Sequence, residues 1–321
     1  MSAATSLDRR ARWRWAEIAF WVAAFAATLM PGGQHIFLAE IAIFALFAVS
    51  LDLILGFAGI ISLGHAAFFG LGAYAAGLMC KHVTPDPLAG LAVAIAVAAL
   101  FGALSSLLVL RGSDLTRLMV TLGVALVLHE VANALPQWTG GADGLQGMVV
   151  GPLLGRFEFD LFGRTAYAYS LMTLFVLFLL ARRIVYSPFG LSLMSIRRNP
   201  LRAAALGVPV NRRLIAIYTV SAALAGAAGA LLAQTTAYVA LTMLEFDRSA
   251  DVLLALIIGG TGWLYGGVAG AVVFKVLQNT LSAGAPQFWM FWMGIFLVVL
   301  ALVGRDRLSG TVRSLVSRVT R

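Results

Sequence analysis

The sequence predicts an all-α fold, a polytopic transmembrane helical bundle of about 8–10 spans with re-entrant or broken glycine-rich segments. Three observations carry this. Hydrophobic residues make up 61% of the 321 and charged residues only 12%, with a mean hydropathy of +0.92; soluble domains run at roughly 45–50% and about 25%. A water-soluble fold of this length cannot hide that much apolar surface. Apolar runs near the length of a bilayer crossing recur along the chain, and the cations cluster between those runs, as membrane topology requires.

The elements follow in order. A basic arm, residues 1–15, carries Arg9, Arg10, Arg12 and Arg14. It resembles a signal peptide's charged region. No small-residue cleavage site leads into a soluble domain and further spans follow, so it reads as the lead of an uncleaved first span. The membrane domain, 16–304, holds candidate spans at 16–31, 36–56, 59–80, 88–110, 115–135, 166–185, 212–237, 250–262, 265–283 and 287–304. A basic tail, 305–321, closes the chain. The segment 182–213 carries Arg182, Arg183, Arg197, Arg198, Arg202, Arg212 and Arg213 and no acid. Arm, tail and this segment are therefore expected on the cytoplasmic side, which requires an even number of crossings: six before the 186–211 loop and four after it. The Arg111–Arg117 turn then falls inside and the connection 136–165 outside.

Composition also excludes several functions. The single cysteine, Cys80, permits no intrachain disulfide and no cysteine-built metal site. His35, His65, His82 and His129 form no metal-binding spacing, so neither metal nor cofactor is expected. The net charge of +9 is spread between apolar runs rather than along a soluble face, which argues against a nucleic-acid partner. No GxxxxGK[ST] motif is present, so the chain is not itself an ATPase.

Two glycine-rich stretches interrupt the apolar pattern. One runs Gly56-Phe-Ala-Gly59-Ile-Ile-Ser62-Leu-Gly64-His65-Ala-Ala-Phe-Phe-Gly70-Leu-Gly72-Ala-Tyr74, the other Gly259-Gly260-Thr-Gly262-Trp-Leu-Tyr-Gly266-Gly267. Such glycines let helices approach closely or break. Paired interrupted segments in two halves of a chain point to a transport path, while tight helix packing explains the same glycines; both readings stand. Candidate pathway residues are Ser62, Gly64, His65, Asn133, Gly259, Gly260 and Gly262.

The loop 186–211 is the most informative polar segment. Ser187-Pro188 starts a turn, Asn199 is a good N-cap and Pro200 suits the first helical position. A short helix over 201–206 follows, with the small side chains Ala203, Ala204 and Ala205. Gly207 sits at the C′ position and Pro209 prevents continuation. A smooth helix of this kind suits docking in another protein's groove; a helix lying on the membrane surface with its arginines on lipid phosphates fits equally.

Each ionisable residue inside a span costs about 2.5–3.5 kcal/mol and needs a reason. Asp52, near the cytoplasmic end of its span, can reach water or a backbone donor; Glu40, near the outer end, reads similarly. His129 and Glu130 point about 100° apart on their helix and are not a face-sharing pair, whereas Asn133 lies closer in azimuth to both. Ser62 and His65 share a helical face, but without an orienting acid and an oxyanion hole they do not make a hydrolase. Lys275 is expected to pair with Asp251 or to snorkel.

The residues then match a known pattern. Ser62-Leu-Gly-His65-Ala-Ala-Phe-Phe-Gly70-Leu-Gly-Ala-Tyr74 resembles the signature of LivM-type permeases, subunits of bacterial ABC importers for branched-chain amino acids. Thr139-Gly-Gly-Ala-Asp143-Gly144-Leu resembles an extracytoplasmic motif of that family. Ser187-Pro-Phe-Gly190, Arg197-Arg-Asn-Pro and Ala204-Ala-Leu-Gly207-Val resemble its cytoplasmic coupling loop. Ser221-Ala-Ala-Leu-Ala-Gly226-Ala-Ala-Gly229 and Gly259-Gly-Thr-Gly262 complete the order. The resemblance covers roughly 35–300. It implies a multi-pass protein of the bacterial inner membrane with both termini cytoplasmic, working with a second, LivH-like permease subunit, two cytoplasmic ABC ATPases and a periplasmic substrate-binding protein. The ATPases would dock on Arg197, Arg198, Asn199, Pro200, Ala203, Ala204 and Gly207, and the binding protein near Gly141, Asp143 and Gly144. Where the family places acids in the coupling loop, this chain has Arg198, Asn199 and Arg202. Urea and short-amide permeases share much of the pattern, so the resemblance leaves the substrate open. An ion-coupled secondary transporter is the mechanistic alternative; it needs a titratable pair near the bilayer centre and no ATPase-docking loop.

Overall fold

The structure, a computed structural model, describes residues 15–29, 33–160, 162–284 and 286–303. Most of the basic arm and all of the tail lie outside the described residues. Thirteen α-helices form among those described: α1 (Trp15–Ala26), α2 (His35–Asp52), α3 (Ala66–His82), α4 (Pro87–Val109), α5 (Asp114–Ala134), α6 (Pro136–Thr139), α7 (Arg164–Val185), α8 (Pro188–Arg198), α9 (Pro200–Ala205), α10 (Val210–Thr236), α11 (Phe246–Gly259), α12 (Leu264–Gly284) and α13 (Trp289–Val303). Extended pairing among them amounts to two isolated bridges, Leu145 with Val239 and Leu153 with Phe157.

Five helical runs are long and apolar enough to cross a bilayer: α2 with the π-turn Leu53–Phe57 that continues it, α4, α5, α7 and α10. The pair α11–α12, bent by 113°, makes a sixth when counted as one span. The remaining candidate segments are covered by shorter helices, α1, α3 and α13, of 12, 17 and 15 residues. Both glycine-rich stretches are breaks, which is why spans expected there are shortened. Helix α2 unwinds through Gly56, and Gly59 takes φ +76° before α3 starts at Ala66. At the second break Gly260 and Gly262 take φ +93° and +80°, a region that side-chain-bearing residues rarely adopt.

The core is built around α2 and α10. Both are buried on nearly all faces, the expectation for helices that are apolar all round. Helix α10 packs against α3 and α4 through its small residues. A Cβ at Gly72 would strike the Gly226 backbone, one at Gly229 the Phe69 carbonyl, and one at Gly102 the Ala222 methyl. These contacts bring the backbones together, the form of packing that holds helices in lipid, where hydrophobic exclusion between them is weak. Helix α1 is fastened to the bundle by Trp21, whose Nε1 donates to the Tyr265 hydroxyl at 3.2 Å, and by the Glu17–Arg182 ion pair at 2.5 Å. Helix α5 is the least packed span, with Leu115, Met119, Leu126, Val127 and Val131 exposed on it.

Candidate functional site

The basic loop folds as two helices joined at Asn199. Sequence reading placed a turn at Ser187-Pro188; Pro188 instead occupies the first turn of the eleven-residue α8. Leu193 and Ile196, buried at 0% and 4% exposure, seat α8 on the bundle. The α9 boundaries follow local chemistry. The Asn199 side chain accepts from the Arg202 N–H at 2.9 Å, and Pro200 stands at the first helical position. At the other end the Gly207 N–H donates to the Ala204 carbonyl at 2.9 Å and the Val208 N–H to the Ala203 carbonyl at 3.1 Å, with Gly207 at φ +83°; this is a Schellman end. Of the three alanines, Ala203 is buried against α8 while Ala204 and Ala205 face outward. A groove of about 420 Å³ runs between the two helices, with Arg198, Asn199, Arg202 and Ala203 among its walls.

Arg197 points the other way. Its guanidinium donates to the Gly56 carbonyl in the π-turn of α2, and its stem covers Gly59, where a Cβ would lie 2.8 Å from the arginine Cγ. Gly262 lies beside the same guanidinium, with Nη1 3.2 Å from the position its Cβ would take. The Gly262 N–H donates to Asp52 Oδ1 at 2.7 Å, so of the two partners open to Asp52, water or a backbone donor, a backbone donor is present, and it comes from the second glycine break. A Cβ at Gly56 would strike both the Asp52 carboxylate and the Gly262 backbone. Both glycine breaks, one buried acid and the root of the basic loop thus meet at one point, within Coulombic reach of Arg197.

Of the other candidate pathway residues, Gly259 and Gly260 belong to the second break, while Ser62, Gly64, His65 and Asn133 are not gathered there. His65 is fully buried, stacked on Phe47 at 5.5 Å. The Ser50 hydroxyl donates to the Phe47 carbonyl at 2.6 Å, which leaves its oxygen to accept from His65 Nε2 at 2.8 Å. His65 Nδ1 has no hydrogen-bond partner among the described residues, so no acid orients the ring as a triad requires. Ser62 is buried beside the Tyr218 hydroxyl, and Gly64 lies against the Thr121 carbonyl. The Ala66 N–H donates to Ser249 Oγ of α11 at 2.8 Å. Gly259 packs on Gly266 and Gly270 across the bend, and Gly260 forms the corner. Asn133 is exposed on α5, away from all of these. His129 Nδ1 lies 3.6 Å from Glu130 Oε1, a contact the helical azimuths argued against; at the half-exposed surface both side chains are free to turn toward each other.

At the opposite end of α2 the segment Thr139–Leu145 is a compact turn. The Thr139 hydroxyl donates to the Ala132 carbonyl at 2.6 Å, Leu145 is buried and paired with Val239, and the Tyr238 hydroxyl donates to the Asp143 carbonyl at 3.1 Å. Gly140, Gly141 and Gly144 all take positive φ. Gly141 and Gly144 are buried, and Asp143 is exposed. Lys275 pairs with Glu40 at 3.7 Å and sits over the Phe44 ring, rather than pairing with Asp251. Sequence reading missed Gly56, Thr121 and Ser249 as partners; only Gly56 carried a signal, its place in the first glycine stretch.

A concavity of about 790 Å³ is walled mostly by apolar side chains such as Phe25, Leu88, Ile95 and Val176. That chemistry suits lipid tails rather than a charged solute.

Residues 35–302 match the family described as branched-chain amino acid transport system / permease component. The chain is 27% identical over 287 residues to the high-affinity branched-chain amino acid transport system permease protein LivM of Salmonella typhimurium, covering 81% of this chain and 66% of that protein. It is 30% identical over 260 residues to the autoinducer 2 import system permease protein LsrC of an Enterobacter species, covering 78% and 71%. It is 25% identical over 247 residues to the probable branched-chain amino acid transport permease protein LivH of Methanocaldococcus jannaschii, covering 72% and 76%. The match spans just under two thirds of the LivM relative's length. No solved structure is significantly similar.

Proposed function

The chain belongs to the branched-chain amino acid transport system permease family, and on that premise we propose that it is the membrane-spanning permease subunit of an ATP-driven ABC importer for branched-chain or other small hydrophobic amino acids. It sits in the bacterial inner membrane with its basic loop and both termini on the cytoplasmic side. It forms the translocation path with a second permease subunit, receives solute from a periplasmic binding protein near Asp143, and makes no covalent chemistry itself.

The observation that carries this reading is the junction at Arg197. A loop that only lay on the membrane would need no connection to the bundle's breaks. Here α8 and α9 present a groove and an outward, small-residue helix to the surface, while Arg197 reaches inward to Gly56 and stands beside Gly262. Two ATPases closing on ATP would push α8–α9 as a unit. Arg197 would carry that push to the π-turn of α2 and the α11–α12 bend, where unwound backbone bends most easily. Rocking of the two halves about these breaks then switches access. With Arg198 and Arg202 at the groove and no acid in residues 186–211, the ATPase surface facing it should carry carboxylates.

The test is uptake of leucine into vesicles holding the chain with its candidate partners, with ATP inside and with or without an ionophore. ATP-dependent uptake that survives the ionophore is expected. Uptake that ignores ATP and collapses with the ionophore would establish an ion-coupled transporter instead, and uptake of urea or acetamide in place of leucine would move the substrate class.

A further inference from the structure

A cavity of about 280 Å³ opens at the end of α2 opposite Arg197. Glu40 and Asp52 are twelve residues apart on α2, so the two places are separated by about 18 Å along the helix axis. The cavity has a mixed lining. Glu40, Lys275 and Arg248 supply charge, while Phe44, Phe69, Leu232 and Met243 supply apolar surface, with Lys275 over the Phe44 ring. Its volume falls just below the range of about 300–1,000 Å³ typical of ligand pockets, the size for a small solute.

The charges are arranged for a ligand that carries both signs. Arg248 is half-buried and has no carboxylate within salt-bridge distance among the described residues. Its planar fork is therefore open to an incoming carboxylate, the group it binds best. Glu40 is 46% exposed and holds Lys275 only at 3.7 Å, leaving its carboxylate accessible to a second cation. Asp251 lies within Coulombic reach of both Arg248 and Lys275. The wall itself carries one acid, Glu40, and two bases, Arg248 and Lys275, with Asp247 and Asp251 close behind the bases, so both signs are at hand for a dipolar ligand. Tyr238 lines this cavity and its hydroxyl donates to the Asp143 carbonyl, which ties the cavity to the turn where a donor protein would dock.

We propose that this cavity is a receiving site for a zwitterionic amino acid with an apolar side chain, the carboxylate on Arg248, the ammonium on Glu40, and the side chain against Phe44 and Phe69. The inference rests on the transport reading above and assigns residues to the solute within it. An amino acid released onto an apolar wall would leave both charges unpartnered, at high cost; this cavity meets both before the solute enters the bundle.

The test is saturation-transfer NMR on the full chain in lipid nanodiscs with three probes: L-leucine, 4-methylpentanoate, which lacks the ammonium, and 3-methylbutylamine, which lacks the carboxylate. Arg248→Gln should weaken leucine and 4-methylpentanoate by about tenfold to a hundredfold, the value of one charge-assisted contact, and leave 3-methylbutylamine unchanged. Glu40→Gln should weaken leucine and 3-methylbutylamine and spare 4-methylpentanoate. Arg248→Lys, which keeps the charge and loses the fork, should retain part of the leucine affinity, separating loss of the site from loss of the fold. Leucine binding that is absent in the wild type, or equal in wild type and both glutamine variants, overturns the proposal. ATP-driven leucine uptake by the assembled complex is measured alongside. Wild-type uptake with variants that bind normally removes the cavity and leaves the transport reading intact; charge-selective binding without any ATP-driven uptake keeps the cavity and removes the transport reading.

Discussion

Replacing Arg197 with methionine keeps most of the stem that covers Gly59 and removes the guanidinium that holds Gly56. A hydrogen bond from a charged donor contributes about 1.5–3 kcal/mol. Arg197 is an exposed residue whose contact is only partly buried, so water competes for it and the lower end, about 1.5 kcal/mol, applies. That is a shift of about tenfold in any two-state equilibrium in which the contact is made in one state and broken in the other. The bundle itself should keep its fold, because Leu193 and Ile196 still seat α8. The expected result is therefore uncoupling. In reconstituted vesicles Arg197→Met should hydrolyse ATP with its partners at close to the wild-type rate while moving about tenfold less leucine per ATP. Asp52→Asn is the companion variant, since its amide oxygen still accepts the Gly262 N–H. It should lose less than Arg197→Met, and the two changes should be non-additive because they act at one junction. A normal ratio of leucine to ATP in Arg197→Met would refute the junction as the transmitting element. So would equal loss of hydrolysis and uptake, which would locate the effect in ATPase docking instead.

Three other outcomes follow from the same geometry. Ala204→Trp should abolish ATPase co-purification with a normal thermal transition, because Ala204 faces outward, whereas Ala203→Trp should lower the transition itself, because Ala203 is 2% exposed; pull-down and thermal unfolding separate the two. Arg198→Glu with Arg202→Glu should lose ATPase binding, and lysines substituted for acids on the ATPase surface should restore it, as read by co-purification at low and high salt. Gly229→Val should destabilise the detergent-solubilised protein by about 3 kcal/mol or more through overpacking, since its Cβ would run into the Phe69 carbonyl, a backbone atom that cannot swing aside.

Much of the candidate site was legible wherever the signal is local. Asn199, Pro200 and Gly207 are recognisable because a cap, a helix-starting proline and a left-handed stop each act within a few residues, and they bound α9 as expected. Helix α8 was missed because Ser187-Pro188 is equally good chemistry for a turn and for a helix start; burial of Leu193 and Ile196 against the bundle decided it. The alanines were legible as small, but which of them faces outward depends on how α9 lies on α8.

Composition by itself determined the solvent: a chain 61% hydrophobic and 12% charged must place its surface in lipid. Glycine clusters by themselves marked where a span could break or pack closely, since backbone freedom and small size are properties of the residue. Only the tertiary structure decided what meets at the breaks. Asp52 and Gly262 are 210 positions apart, and Arg197 and Gly56 are 141 apart. The sequence left Lys275 to pair with Asp251 or to snorkel, and it uses Glu40 from a different helix instead. Propensity reaches across a turn or two of chain. The pairing of charges, and the cavity that Glu40, Lys275 and Arg248 line together, depend on which helix faces meet once the small-residue surfaces of α3, α4 and α10 have packed.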